Sequence, residues 1–128
     1  MTSPATLATA LRAHAQGLYS LEAAAGLLIA QSWLHRADFT SQFVHVQRGL
    51  ADGPEMATID WPAAITALGA SLPCSGGERR MLKITASLAD GIPVDLRDTL
   101  TGLDDRNVQL LITAVLQASG HRPSPRRP

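Results

Sequence analysis

Ser75-Gly76-Gly77-Glu78-Arg79-Arg80 is the segment of this chain best equipped for chemistry. A serine, two glycines and a glutamate in that order describe the first turn of a helix, whose free backbone amides carry the positive end of the helix dipole. Two arginines follow at once, so Ser75, Gly76, Gly77, Arg79 and Arg80 form a candidate anion-binding set. The same residues also compose a capping box. The serine hydroxyl accepts from the amide three residues on, and the glutamate reaches back to the serine amide. That reading uses every residue of the motif and requires no ligand. Cys74 stands just before this start. There the dipole would lower its thiol pKa and raise its reactivity, but no histidine or aspartate partner is evident, and a half-buried loop thiol is the expectation.

Other residues with chemical potential are scattered. His14, His35, His45 and His121 include no pair at i, i+4 and no HExxH or HxH pattern. With Asp38 nearby, His35 and His45 would make at most a weak metal site, so no metal and no cofactor are expected. No catalytic constellation stands out. Trp33 and Trp61 lie inside apolar patterns and are expected to anchor a core. Arg79-Arg80 and the later Arg122, Arg126 and Arg127 are the local basic clusters, suited to an acidic partner or simply to solvent.

Helices are the elements that must position these groups. Ser3-Pro4 reads as an N-cap with proline at the first helical position, and Leu7, Leu11 and Leu18 follow at helical spacing until Gly17 interrupts. Ser20 is expected to start a second helix, with Glu22 in its first turn. Leu21, Ala25, Leu28 and Ser32 line one face of it, and Leu27, Ile29 and Trp33 widen that face. A helix apolar around most of its circumference belongs at the centre of a core, so this is expected to be the most buried element. Asp38 is a plausible cap for a short helix carrying Phe39, Phe43, Val44 and Val46. Residues 49–54 read as a turn-rich loop, and residues 56–59 as a short extended piece without a strand to pair with. Asp60 caps a helix with Pro62 in its first turn and Ala64, Ile65 and Leu68 on its inner face.

The helix that starts at Ser75 carries Met81, Leu82, Thr85, Leu88 and Ala89 in amphipathic order and stops at Gly91. A short helix over 95–100 follows. Asp104 caps the last one, with Val108, Leu111, Ile112 and Val115 as its apolar stripe, broadened by Leu110, Ala114 and Leu116. The expectation is an all-α bundle of six or seven helices forming one domain over 1–120. Residues 121–128, rich in Pro and Arg, are expected to form a disordered tail.

Ser75 to Arg80 resembles the signature loop of ABC-type ATPases, and Thr101-Gly102-Leu103-Asp104 resembles the Leu-Asp loop of that family, at similar spacing. The resemblance covers residues 72–107 and implies a fragment contacting a nucleotide γ-phosphate in trans. Hydrolysis by the chain alone would need a P-loop lysine in a glycine frame, and Lys83 is the only lysine, inside a helix. The family's acidic strand end is replaced by Ile92-Pro93-Val94-Asp95-Leu96-Arg97-Asp98, with a proline that disfavours a strand. As a whole, the chain resembles small all-helical proteins of high-GC actinobacteria. That likeness is carried by Trp61-Pro62-Ala63-Ala64, Cys74 to Glu78, Ala86-Ser87-Leu88-Ala89 and Leu103-Asp104-Asp105-Arg106-Asn107, and it implies no activity or cofactor.

Composition narrows the function classes. The chain has 128 residues, 45% of them apolar and only 4% aromatic, with a formal net charge of zero. Nothing in that balance draws nucleic acid or an anionic membrane. A helix-turn-helix reading, with the turn at Gly91-Ile92-Pro93-Val94, is the alternative. Its recognition helix would present Asp95 and Asp98 beside Arg97, and the helix after it opens on Asp104 and Asp105, so acids would face phosphates. The lone cysteine rules out an internal disulfide, and the longest apolar run, residues 27–30, is too short to span a bilayer. These features point to a cytoplasmic, non-enzymatic helical interaction module that works through a protein partner or as a homo-oligomer.

Overall fold

Five of the seven α-helices among the described residues begin at a side chain that closes the first turn, four of them where the sequence leads one to expect it and the fifth at Asp95. The computed structural model describes residues 2–48 and 53–121. Ser3 Oγ accepts from the Thr6 amide at 3.2 Å and opens α1 (Pro4–Ala15). Asp60 Oδ1 accepts from Ala63 at the start of α4 (Trp61–Ala67). Ser75 opens α5 (Gly76–Asp90), Asp95 opens α6 (Leu96–Leu100), and Asp104 opens α7 (Asp105–Ala118). Gly91 stops α5 in the left-handed conformation, φ +69°, which costs a glycine little.

Two starts differ from expectation. The second helix, α2 (Tyr19–Ala30), begins before Ser20 and has no side-chain cap; instead the Glu22 carboxylate accepts from the Gly17 amide at 3.1 Å. Leu18 precedes it with its side chain exposed, so it does not belong to the buried stripe of α1. Asp38 does not cap α3 (Ala37–Phe43), because the helix already starts at Arg36 and Asp38 lies in its first turn, paired with that arginine.

A short antiparallel hairpin departs from the expected all-α fold. β1 (Val44–Gln47) pairs with β2 (Met56–Ile59), placing Val44 opposite Ile59 and Val46 opposite Ala57. The piece over 56–59 therefore does have a partner, and Val44 and Val46 belong to a strand where a helix was expected. Val-His-Val-Gln alternates with the period of a strand, and β-branched residues favour that geometry. The helical spacing of Phe39 and Phe43 hid the change of period. Two strands alone are marginal, and this pair lies on α1, with Ala57 fully buried. The fold is thus mostly helical, with a two-stranded sheet. Residues 49–52 of the expected loop and residues 122–128 of the expected tail lie outside the described residues.

α2 sits at the centre. Ala23, Ala24, Ala25, Leu27 and Leu28 are all buried, and the helix packs on α1, α5 and α7. The larger apolar cluster joins Leu28 and Leu82 to Trp33, Phe39, Phe43, Trp61 and Leu72. Trp33, in a 3₁₀ turn (Trp33–His35), stacks at a tilt on Phe39, and Phe39 on Phe43, at ring separations of 5.3 and 5.6 Å. Both tryptophans anchor this core. A smaller cluster of Ala23, Leu27, Met81, Ile84 and Ala114 fills the space among α2, α5 and α7.

The stripe expected on α7 faces the other way. Asn107 and Ala114 are buried, with Leu110, Leu111 and Ala118 packed beside them, while Val108, Ile112 and Val115 are 38%, 49% and 54% exposed. The physical reason is at the start of the helix. Gln31 Nε2 donates to Asn107 Oδ1 at 2.8 Å, and Arg106 Nη2 donates to the Ala30 carbonyl at 2.9 Å, so the end of α2 fixes the rotation of α7. The small Ala114 and Ala118 allow close approach on that side. A pair of substitutions separates the two faces: Ile112→Asp should change unfolding free energy by less than about 0.5 kcal/mol, and Ala114→Asp should cost about 3 kcal/mol or more by burying an unpaired charge. Urea titration of both variants checks the assignment.

Candidate functional site

The start of α5 is built from the capping box outward. The Glu78 amide donates to Ser75 Oγ at 3.1 Å, and the Ser75 amide donates to Glu78 Oε1 at 2.9 Å, so both halves of the box are formed. The segment entering it is held from a distance. Arg36 donates from Nε and Nη2 to the two carboxylate oxygens of Asp38 at 3.0 and 2.7 Å, and Nη2 also donates to the Pro73 carbonyl at 2.7 Å. Its guanidinium lies 4.8 Å from the Trp33 ring centroid. One arginine thereby ties the loop before Cys74 to the aromatic core.

The Arg36 hydrogen bond holds the Asp38 carboxyl below its ordinary value of 3.8, and the same bond raises the Arg36 guanidinium. A carboxyl with a lowered folded pKa contributes stability that is fully present above the unfolded value and is lost as pH falls through the folded one. Asp38→Asn should therefore be less stable than the parent at pH 7, with the gap closing below pH 3.8. Thermal melts across pH 2 to 7 read this out; a gap that does not change with pH would contradict the ion pair.

Of the five candidate residues, Ser75, Gly76, Arg79 and Arg80 line one cavity of about 420 Å³ together with Cys74, Lys83 and Asp98. Gly77 does not reach it; a Cβ there would face the Asn107 amide nitrogen at 3.6 Å, so this glycine serves the packing of α7 on α5. The Arg80 guanidinium lies across two glycines. A Cβ at Gly76 would stand 3.2 Å from its Nη1, and one at Gly102 would stand 3.8 Å from its Cζ. Gly102 has φ +88° and turns the chain between α6 and α7. The Arg79 guanidinium packs on Gly69, where a Cβ would collide with Nη2. The Thr101-Gly102 turn and the Ser75 loop thus meet across Arg80. Residues 91–95 form an irregular link with no strand.

Sequence reasoning missed Lys83 and Asp98. Lys83 was read only as a lysine without a P-loop, yet its position one turn beyond Arg79 and Arg80 already placed it on their side of the helix. Asp98 gave no such signal, because only the fold of the residue 91–95 link brings α6 beside α5. A second cavity of about 260 Å³ adjoins the first, shares Lys83 and Asp98, and is walled by Ile65, Ile92, Pro93 and Val94. A larger open groove of about 560 Å³ runs between α1, α2 and α7, with Arg12 and Glu22 of opposite charge over Ala15 and Ala25. Its Glu22 is already engaged by Gly17, and no set of like groups converges there.

Cys74 is the half-buried loop thiol the sequence led one to expect, and not an activated one. Burial pushes the thiol above its ordinary value of 9.0, and the Glu78 carboxylate adds to that, outweighing Arg79 and Arg36. The helix end that would favour thiolate carries the capping box, which brings a carboxylate with it. A raised pKa leaves less thiolate at neutral pH, so alkylation by iodoacetamide at pH 7 should be slower than for an unstructured cysteine peptide. The rate should keep rising with pH beyond 9.0. A rate plateau below pH 8 would refute it.

His35 and His45 are exposed and Asp38 is taken by Arg36; among the described residues no three His, Cys, Asp or Glu side chains gather as a metal site. Asp95, Asp98, Asp104 and Asp105 are exposed around α6 and the start of α7. Among the described residues no helix is long and apolar enough to cross a membrane. Comparison of the chain with protein-family models, with curated proteins and with solved structures finds no match in any of the three.

Proposed function

We propose that the chain is a non-enzymatic protein-interaction module that self-associates through the outer face of α7. The observation that carries this reading is the exposure of Val108, Ile112, Val115 and Leu116 at i, i+4, i+7 and i+8 of one helix. Between Asn107 and Ala118 the helix holds no charged residue on any side. A surface helix facing only water ordinarily carries charge on its outer face, and contiguous exposed apolar side chains mark interaction sites. Gln109 and Thr113 flank the stripe and supply a polar rim.

The stripe suits a second copy of itself. Ile112 lies near its middle, so an antiparallel two-fold pair sets Ile112 against Ile112 and Val108 against Leu116. Antiparallel packing also places the positive start of each helix dipole beside the negative end of the other. Asp105, in the first turn of one copy, then comes near His121 at the end of the other. One helix per copy makes a small interface, in the class of transient contacts burying less than about 1,200 Å². The cytoplasm is the setting that goes with this reading, since a lone thiol such as Cys74 stays reduced there.

Light scattering coupled to size exclusion across a concentration series tests it. The parent chain should shift toward dimer as concentration rises, and Ile112→Asp should remain monomeric while keeping the parent helical content. A parent that stays monomeric at every concentration, or a dimer that survives Ile112→Asp, overturns the reading.

A further inference from the structure

We propose that the two adjoining cavities beside α5 bind the phosphate monoester of a small organic alcohol, with the phosphate among Arg79, Arg80 and Lys83 and the carbon portion against Ile65, Ile92 and Val94. This site is separate from the outer face of α7, and it does not depend on self-association.

Charge is the first support. Arg79, Arg80 and Lys83 line the first cavity with Asp98 as its one acid, and none of the four takes part in an ion pair within 4.0 Å among the described residues. The first cavity therefore holds an excess of two positive charges, and the one further acid of the site, Asp95, lines the second cavity. A phosphate monoester is close to a dianion at neutral pH, and its oxygens match the planar donor forks of arginine. A carboxylate would neutralise half the excess. The cations are also placed in advance, since Arg80 rests on Gly76 and Gly102, and Arg79 on Gly69. The helix start itself is not the donor here. Its Ser75 and Glu78 amides are spent on the capping box, so binding is assigned here to side chains, with the Ser75 hydroxyl hydrogen able to donate.

The aliphatic side of the second cavity favours an ester over the free ion. That cavity shares Lys83 and Asp98 with the first, and its remaining wall sets the aliphatic Ile65, Ile92, Pro93 and Val94 beside Thr99 and a second acid, Asp95. A phosphate held by Lys83 would direct its ester oxygen toward this wall. Asp98 stands at the junction, where its carboxylate can accept from a hydroxyl of the bound alcohol and would repel a second phosphate.

Isothermal titration of the full chain at low ionic strength tests the site with n-butyl phosphate, inorganic phosphate and 1-butanol. Butyl phosphate should bind about tenfold more tightly than inorganic phosphate, as expected for burying a short alkyl chain, and butanol should not bind measurably. Arg80→Gln and Lys83→Gln should each weaken butyl phosphate about tenfold. Val94→Ser should reduce the preference for butyl phosphate over inorganic phosphate and leave inorganic phosphate unchanged. Arg12→Gln, a cation outside the site, should change nothing, and thermal melts of each variant confirm folding. Three results would overturn the proposal: no saturation with butyl phosphate below about 0.1 M, where screening already confines charge interactions to about 10 Å; equal affinity for the ester and the free ion; or binding that survives Arg80→Gln.

Discussion

The need to cover α2 on all sides organises the rest of the molecule. Its sequence, Tyr-Ser-Leu-Glu-Ala-Ala-Ala-Gly-Leu-Leu-Ile-Ala, has no polar face along its second half, so water cannot be left beside it without exposing apolar area. Burial of its central alanines lets α1, α5 and α7 approach closely, and those three helices supply the cover. α5 then belongs to both apolar clusters, Leu82 to one and Met81 with Ile84 to the other, and becomes the second axis of the fold. The capping box and the Gly91 stop fix the length of that axis, and everything beside Ser75 inherits its position from them.

The same constraint decides which side of α7 is left outside. α7 has apolar residues over most of its surface, and α2 and α5 can cover only one flank of it. Asn107, Ala114 and Ala118 fit that flank because they are small or able to meet Gln31, while the β-branched Val108, Ile112 and Val115 are left to solvent. An amphipathic stripe in a sequence gives the phase of a helix relative to itself; the neighbour selects which phase is buried. For a helix apolar on both flanks the two solutions differ by a rotation, and a polar hydrogen bond of about 1 kcal/mol is sufficient to choose between them.

Local chemistry was readable, long-range pairing was not. Ser3, Asp60, Ser75, Asp95 and Asp104 cap their helices with contacts spanning three residues, and such contacts are fixed by residue order alone. The hairpin went unread because its strands are four residues each and the first follows a helix without a break, so no turn residue signals the change at Phe43 and Val44. The site follows the same division. Ser75, Gly76, Arg79 and Arg80 share a cavity because they lie within the first two turns of one helix, whereas Asp98 enters it, and Gly69 and Gly102 meet its arginines, through tertiary folding. At Cys74 burial raises the thiol pKa, and the same motif that signals a positive dipole brings in Glu78, whose carboxylate adds to that effect.

That distinction bears on what the start of α5 is for. If its residues served folding alone, Ser75 and Glu78 would suffice, and positions 79, 80 and 83 would be free to alternate in charge along the exposed turn. Three cations occupy them instead. Arg79 and Lys83 stand four residues apart, where like charges on a helix repel by a few tenths of a kcal/mol. At Gly69 the Arg79 guanidinium lies where a Cβ would stand, and the Arg80 guanidinium lies against Gly76 and Gly102. An arrangement that holds unpaired like charges together, on glycines that contribute no packing of their own, is relieved by an anion and by little else within reach: Asp98 is the one acid in the cavity, and it pairs with none of the three. The capping box takes two of the backbone amides at this end of α5. Its side chains leave the charge open.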